Sequence, residues 1–220
     1  MNSTTWPLFP VEDPFPALAA LAGSASPLVV DGGANKGRTV ARLLELLPQC
    51  SLVAYEPLPR LARKLGKRFR DDARVRLREA ALGSAPARLA INELESATCS
   101  SLLEPKAILQ KHPDKPMGVA RRVEVEVVRL DQDLRETPQL IKLDLQGYEL
   151  EALRGAEGLL GGVRGVLCEV SFAGMYKGQP LAGELMAWME ARGFRVRGLY
   201  RPWFDEDGNL SAADALFERR

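Results

Sequence analysis

One histidine, three cysteines, one surplus positive charge and no run of about 20 apolar residues set the first limits on this 220-residue chain. Thirty Lys and Arg against 29 Asp and Glu, with the signs interspersed, leave no long-range field to gather a polyanion, so nucleic acid is not an expected partner. Cys50, Cys99 and Cys168 are far apart, odd in number and free of any CxxC pairing, which argues against a disulfide framework or a zinc ribbon. A reducing cytoplasm is the expected setting. The first residues carry neither a basic start nor an apolar run of signal-peptide length, so the expectation is a soluble chain that neither enters a membrane nor is exported. His112, in "LQKHPDKP", reads as a surface histidine of a polar loop rather than a general base. No dense aspartate cluster stands out, and whether a divalent metal takes part is left open.

What is present is an alternation. Residues 1–27 read as a proline-rich arm, irregular to about residue 16, whose Trp6 and Phe9 suggest docking on the domain or on a neighbouring subunit; a homodimer is the corresponding expectation. From residue 28 to 220 apolar runs of strand length ("LVVD", "SLVAYE", "RVRLREAAL", "IKLDL", "GVLCEVSF", "RVRGLY", "ALFERR") alternate with helical patterns at Arg38 to Leu47, Leu58 to Arg70, Tyr148 to Leu160 and Leu181 to Arg192. That rhythm predicts one α/β domain, a Rossmann-like, doubly wound and mostly parallel sheet with helices on both faces. Two further segments, "ARLAIN" and "RRVEVEVVRL", alternate apolar and polar residues and should pair as a hairpin. The stretch 92–120 around their junction reads as an inserted lid.

The first strand-to-helix turn is Asp31-x-Gly33-x-Asn35-x-Gly37, not the GxGxxG of a dinucleotide site. Glycines there let main chain approach a ligand, but the leading carboxylate would repel a pyrophosphate. It would suit a ligand with an ammonium and a sulfonium, and S-adenosylmethionine (SAM) is one. Glu56, followed by Pro57 in "AYEP", lies 25 residues after Asp31, near the offset at which an acid takes ribose hydroxyls. Asp144 and Glu169 follow apolar strand runs, where an open sheet presents its ligands, and are candidates for a substrate hydroxyl, the SAM amino group or a metal. Plainer roles stand beside these: Asp31 capping its turn, and Asp144 or Glu149 capping the helix near Tyr148. Two other functions remain open, a non-catalytic SAM-binding scaffold or sensor and a nicotinamide-dependent oxidoreductase.

"VVDGGANKGRTV", "AYEP", "EAALG", "SSL", "IKLDLQGYELEALRGA" and "EVSF..MYKGQP", in this order, resemble the FkbM-type SAM-dependent methyltransferases, most specifically from Lys142 to Ala156. The resemblance implies a class I methyltransferase fold of about seven strands and O-methylation of a sugar, polyketide or other small hydroxylated acceptor. It places the methionine part of SAM at Asp31, Gly33, Asn35 and Gly37, the ribose at Glu56, and the adenine at Glu79 and Ala80. It sets Asp144 beside the transferable methyl group, with Gln146, Gly147 and Glu149 shaping the pocket. Asp144 is then the first candidate for base or metal ligand, and Glu169 the second.

Overall fold

Strand β1 (Leu28–Gly32) is buried at every position, as a strand covered on both faces must be. In the computed structural model, which describes residues 13–106 and 118–220, β1 pairs in parallel with β2 (Ser51–Tyr55) on one side and β7 (Leu140–Leu143) on the other. β3 (Val75–Arg78) extends the sheet beyond β2, and β8 (Gly165–Ser171) extends it beyond β7. The last two strands, β9 (Phe194–Phe204) and β10 (Leu210–Arg219), form a hairpin whose second strand pairs antiparallel with β8. Among the described residues the order is β3-β2-β1-β7-β8-β10-β9, the doubly wound class I methyltransferase arrangement with one antiparallel insertion.

Helices cover both faces because their apolar residues fall on one side of each. α2 (Arg38–Leu46) turns Val40, Leu43 and Leu44 onto one face of the sheet, with Val29, Leu52 and Leu167. On the opposite face α5 (Glu149–Arg154) and α6 (Ala182–Glu190) bury Leu150, Leu153, Leu185 and Met189 against Val30, Ile141 and Val166. α3 (Pro59–Arg68) buries Leu61 and Leu65 and leaves its basic residues toward solvent. A four-residue helix, α4 (Leu130–Asp133), precedes β7.

Three differences from the sequence reading have local causes. The arm was expected to be irregular to residue 16, yet Phe15–Ala19 is a short helix, α1, with Pro14 and Pro16 in its first turn, where proline costs no hydrogen bond. Its Phe15 and Leu18 are buried with α2, and Leu21 and Ala22 after it join the same core; Trp6 and Phe9 lie outside the described residues. "RVRLREAAL" is two strands, not one. Pairing with β2 stops where Glu56 N–H meets the Arg78 carbonyl, and Ala81–Leu82 (β4) leaves for a second sheet beside β6 (Val119–Val128). The helix expected to reach Leu160 ends at Arg154; Gly155, its C-cap, lies so close to the next layer that a Cβ would stand 1.9 Å from the Gly83 carbonyl oxygen.

The expected hairpin forms. β5 (Ala87–Leu94) and β6 are antiparallel, with Arg88 opposite Glu126, and Ile91, Val125 and Val127 pack on Leu58 and Leu61. After β5 the chain makes a 3-10 turn (Ala97–Cys99) and runs to Pro105, which bridges to Tyr176. This part of the 92–120 segment lies over the carboxyl ends of the strands; residues 107–117, His112 included, lie outside the described residues.

Gly33 binds the two central strands' exits together. Its φ is +78° and a Cβ would meet the Asp144 carbonyl oxygen at 2.0 Å. Gly33→Ala therefore combines a left-handed backbone penalty with overpacking, about 3 kcal/mol or more. Thermal unfolding should show a Tm lower by roughly 6–12 °C; a loss under about 2 °C would mean that the turn is not seated on Asp144.

Candidate active site

The β1–β7 register sets Asp31 directly opposite Lys142. Asp31 is fully buried, and neither carboxylate oxygen has a hydrogen-bond partner among the described residues. Its compensation is ionic: Lys142 Nζ lies 3.5 Å from Asp31 Oδ1 and 3.6 Å from Asp144 Oδ2. Burial works against the lysine's charge, yet Asp144, Asp31 and Asp214 together hold its pKa above the usual range. Asp31 is not among the residues that line the cavity, whereas its partner Lys142 is. Lys142 was not among the expected site residues. The signal for it was a lysine within an apolar strand run, since a buried cation needs a buried anion on a neighbouring strand.

The cavity, about 570 Å³, runs along the carboxyl edge of the sheet. At one end Leu58, Ala80, Ala81, Leu82 and Ile91 make an apolar wall beside Glu56 and Pro57. Glu56 is buried; its Oε2 accepts the Asn35 N–H at 2.8 Å and its Oε1 the Leu58 N–H at 2.9 Å. Each oxygen keeps acceptor capacity for a further donor, as a ribose diol would require. Gly33 and Asn35, the latter at φ +50°, form the floor, and Asp144 lines the middle. The missing Cβ at Gly33 lets the Asp144 carbonyl close in behind the turn, so Asp144 and the Gly33 to Asn35 backbone form one continuous floor. These residues fit SAM: an apolar slot and a diol acceptor at one end, glycine-turn backbone and a carboxylate at the other. No His, Cys, Asp or Glu group of three or more among the described residues is placed to hold a metal ion.

Six expected residues lie elsewhere, two of them, Gly147 and Glu149, in the small cleft that Glu169 also lines. Glu79 is exposed and outside the cavity, while its neighbour Ala80 lines it. Gly37 is left-handed at φ +74°, but the space at its Cβ is taken by Phe69 and Leu65, so it serves packing. Asp31 is buried beside Lys142. Glu169 stands behind Gln146 in a separate small cleft.

Gln146 was expected only to shape the pocket, and it joins its parts. Held at φ +55°, it donates from Nε2 to Asp144 Oδ1 at 2.8 Å and to Glu169 Oε2 at 3.0 Å. Its carbonyl oxygen accepts from Ser101 Oγ at 2.7 Å, which ties the overlying segment to the floor. The Tyr176 hydroxyl reaches the Cys99 carbonyl at 2.7 Å and stands 3.1 Å from Gln146 Oε1. Below, Glu149 Oε1 accepts the Leu145 N–H at 2.7 Å. Burial, reinforced by Asp144, Glu149 and Asp214, pushes Glu169 well above the usual carboxyl range.

Three more buried acids are raised, each mainly by burial: Asp31 to about 6, Glu56 to about 7 and Glu149 to about 7. A carboxyl whose pKa is higher folded than unfolded contributes stability below its ordinary value and loses it as pH rises through the folded one. Carboxyls held low, such as Asp72 by Arg74, act below that window. The Tm of the ligand-free chain should accordingly fall as pH rises from about 4.5 to 7, most steeply near pH 5–6, between the ordinary and the folded values, and Glu149→Gln should flatten the slope. A Tm that is level or rising across that range would count against this burial of the acids.

Comparison with known proteins agrees with this architecture. Residues 31–196 match the methyltransferase FkbM domain. The 2-O-methyltransferase NoeI of Sinorhizobium fredii is 28% identical over 177 residues, covering 74% of this chain and 70% of that one. Methyltransferase 1 of Beauveria bassiana is 28% identical over 144 residues, 59% of this chain and 58% of its own length. Among solved structures, the FkbM methyltransferase of Methylobacillus flagellatus superposes with a TM-score of 0.58 at 18% identity, over 93% of this chain and 48% of that one. An rRNA methylase of Streptococcus thermophilus gives 0.51 at 15% identity, over 96% of this chain and 98% of its own; at such identities both show the fold alone. With the matched stretch spanning the glycine turn, Glu56, Lys142 to Ala156 and Glu169, the chain belongs to the FkbM family of methyltransferases.

Proposed function

We propose that this chain transfers a methyl group from SAM to a hydroxyl of a small acceptor, a sugar, polyketide-like compound or other metabolite. The observation that carries the reading is the single cavity joining the Glu56 acceptor and its apolar slot to Asp144. NoeI, named as a 2-O-methyltransferase, supports oxygen as the accepting atom.

When bound, SAM supplies a methyl group already activated by its sulfonium, so the protein's work is alignment and proton removal. Glu56 and the Leu58 to Leu82 wall fix the adenosyl end, and the Gly33 to Asn35 backbone supports the middle. Asp144 takes the acceptor's hydroxyl proton on its carboxylate. Gln146 Nε2 and Lys142 Nζ hold that carboxylate from its two oxygens, so it points one way before an acceptor arrives. The segment from Ala97 to Leu102 closes the cavity from above and limits water. Glu169, bonded to the same Gln146 amide, steadies the hub from behind and does not meet the acceptor in this arrangement.

Calorimetry with SAM, S-adenosylhomocysteine and NAD(H) tests the cofactor. The two adenosyl ligands should bind in the micromolar range, NAD(H) should not, and Glu56→Ala should lose at least about ten-fold in affinity, the cost of leaving the diol unpaired. Binding of NAD(H) alone would return the oxidoreductase reading. With labelled SAM and a panel of hydroxylated acceptors, Asp144→Asn should bind S-adenosylhomocysteine as the wild type does and lose transfer by roughly 10²–10⁴. Binding without transfer to any acceptor by the wild type would favour a non-catalytic module.

A further inference from the structure

Arg201 breaks the pattern of its strand. It lies in β9 at φ +46°, a region that non-glycine residues rarely occupy, and it sits in a bulge: Tyr200 pairs with Asp214 and Trp203 with Ala212, so Arg201 and Pro202 together oppose Ala213. Strained residues and bulges of this kind re-aim side chains at functional sites. Here the side chain lines the cavity, at the end away from Glu56 and the apolar slot.

Its partners there leave most of its donors unspent. Arg201 Cζ lies 5.3 Å from the centre of the Phe15 ring, Nη2 is 3.4 Å from Asp13 Oδ1 and Nη1 is 3.7 Å from Asp214 Oδ2. Asp13 is engaged more closely by Arg42, whose Nε stands 2.9 Å from its Oδ2. Lys36 and Arg38 line the same end, Arg38 being the exposed first residue of α2. Of the cavity's other charged groups, Asp144 is matched by Lys142, and Glu56 accepts backbone N–H groups. Arg201 and Arg42 thus share Asp13, with Asp214 beside Arg201 and Glu45 2.8 Å from Arg42 Nη1, while among the described residues no carboxylate is paired with Lys36 or Arg38, so the end keeps a positive excess suited to an anionic ligand group.

Resting on the cofactor reading above, we propose that Arg201, with Arg38, takes the carboxylate of the methionyl tail. That carboxylate is the cofactor's sole anionic group, and a ligand whose adenosyl part sits at Glu56 must send its tail across Gly33 toward this corner. Guanidinium groups suit it, since their paired donors match two carboxylate oxygens. Of the clamp's residues, Arg201 lies outside the family-matched residues 31–196 and Arg38 inside them.

Two ligands separate the effect: S-adenosylhomocysteine, which has the tail, and 5′-methylthioadenosine, which lacks it. Calorimetry on the wild type, Arg201→Gly and Arg38→Ala should show S-adenosylhomocysteine weakened about ten-fold in Arg201→Gly, equivalent to about 1.4 kcal/mol, and by a smaller factor in Arg38→Ala. Methylthioadenosine binding should stay within about two-fold in both. Glycine accepts the left-handed backbone, so Arg201→Gly keeps the bulge; Arg38→Ala, at an exposed position, gives the same answer without touching β9. Equal losses for both ligands, or unchanged S-adenosylhomocysteine binding in both variants, would overturn the clamp while leaving the cofactor reading in place. A wild type that binds neither ligand would overturn both.

Discussion

The site depends on one buried lysine. Lys142 enters an apolar strand at the centre of the sheet, and its burial is compensated by Asp31 on the next strand and Asp144 beyond its own, with Asp214 farther off. Removing either carboxylate leaves a charge in a poorly solvated place, which costs more than the pair is worth as an attraction. The arrangement therefore locks the β1–β7 register as well as the charge: a shift by one residue would turn Asp31 and Lys142 to opposite faces. The same register brings Gly33 against the Asp144 carbonyl. Fold and site are fixed by the same few contacts.

From that floor the rest is built by tethers to Gln146. Its backbone holds the overlying segment through Ser101, and its amide holds Asp144 and Glu169. The left-handed conformation at a non-glycine residue is a cost that the fold carries here to point one side chain at two acids. Ser101 ties the overlying segment to the same residue that holds Asp144, so that segment and the orientation of Asp144 are parts of one hydrogen-bond network.

Most of the sheet was legible in the sequence because buried parallel strands leave continuous apolar runs and the helices between them carry one apolar face. "LVVD", "SLVAY" and "IKLDL" could hardly be otherwise. That Glu56, Asn35 and Asp144 line the cavity was legible for a related reason: an acid or a turn residue at a strand's end has few places to go. Spacing could not reveal pairing across strands, and that is why the partnership of Asp31 with Lys142 does not show in the sequence. Nor could it reveal the break after Arg78, where a uniform-looking run is divided between two sheets, or the bulge that places Arg201, since Pro202 after an arginine reads as an ordinary strand end.

The position of β10 sets an order for assembly. Though it follows β9 in the chain, β10 is not at an edge; it lies between β8 and β9, paired to both. Until residues 210–219 take that place, β8 has an open flank of Val166, Leu167 and Val170 backbone, a surface prone to pairing with other chains. β1 and β2 can pair without waiting for it. The sheet closes only when β10 enters the gap, so the same strand that completes the sheet also removes its most adhesive edge.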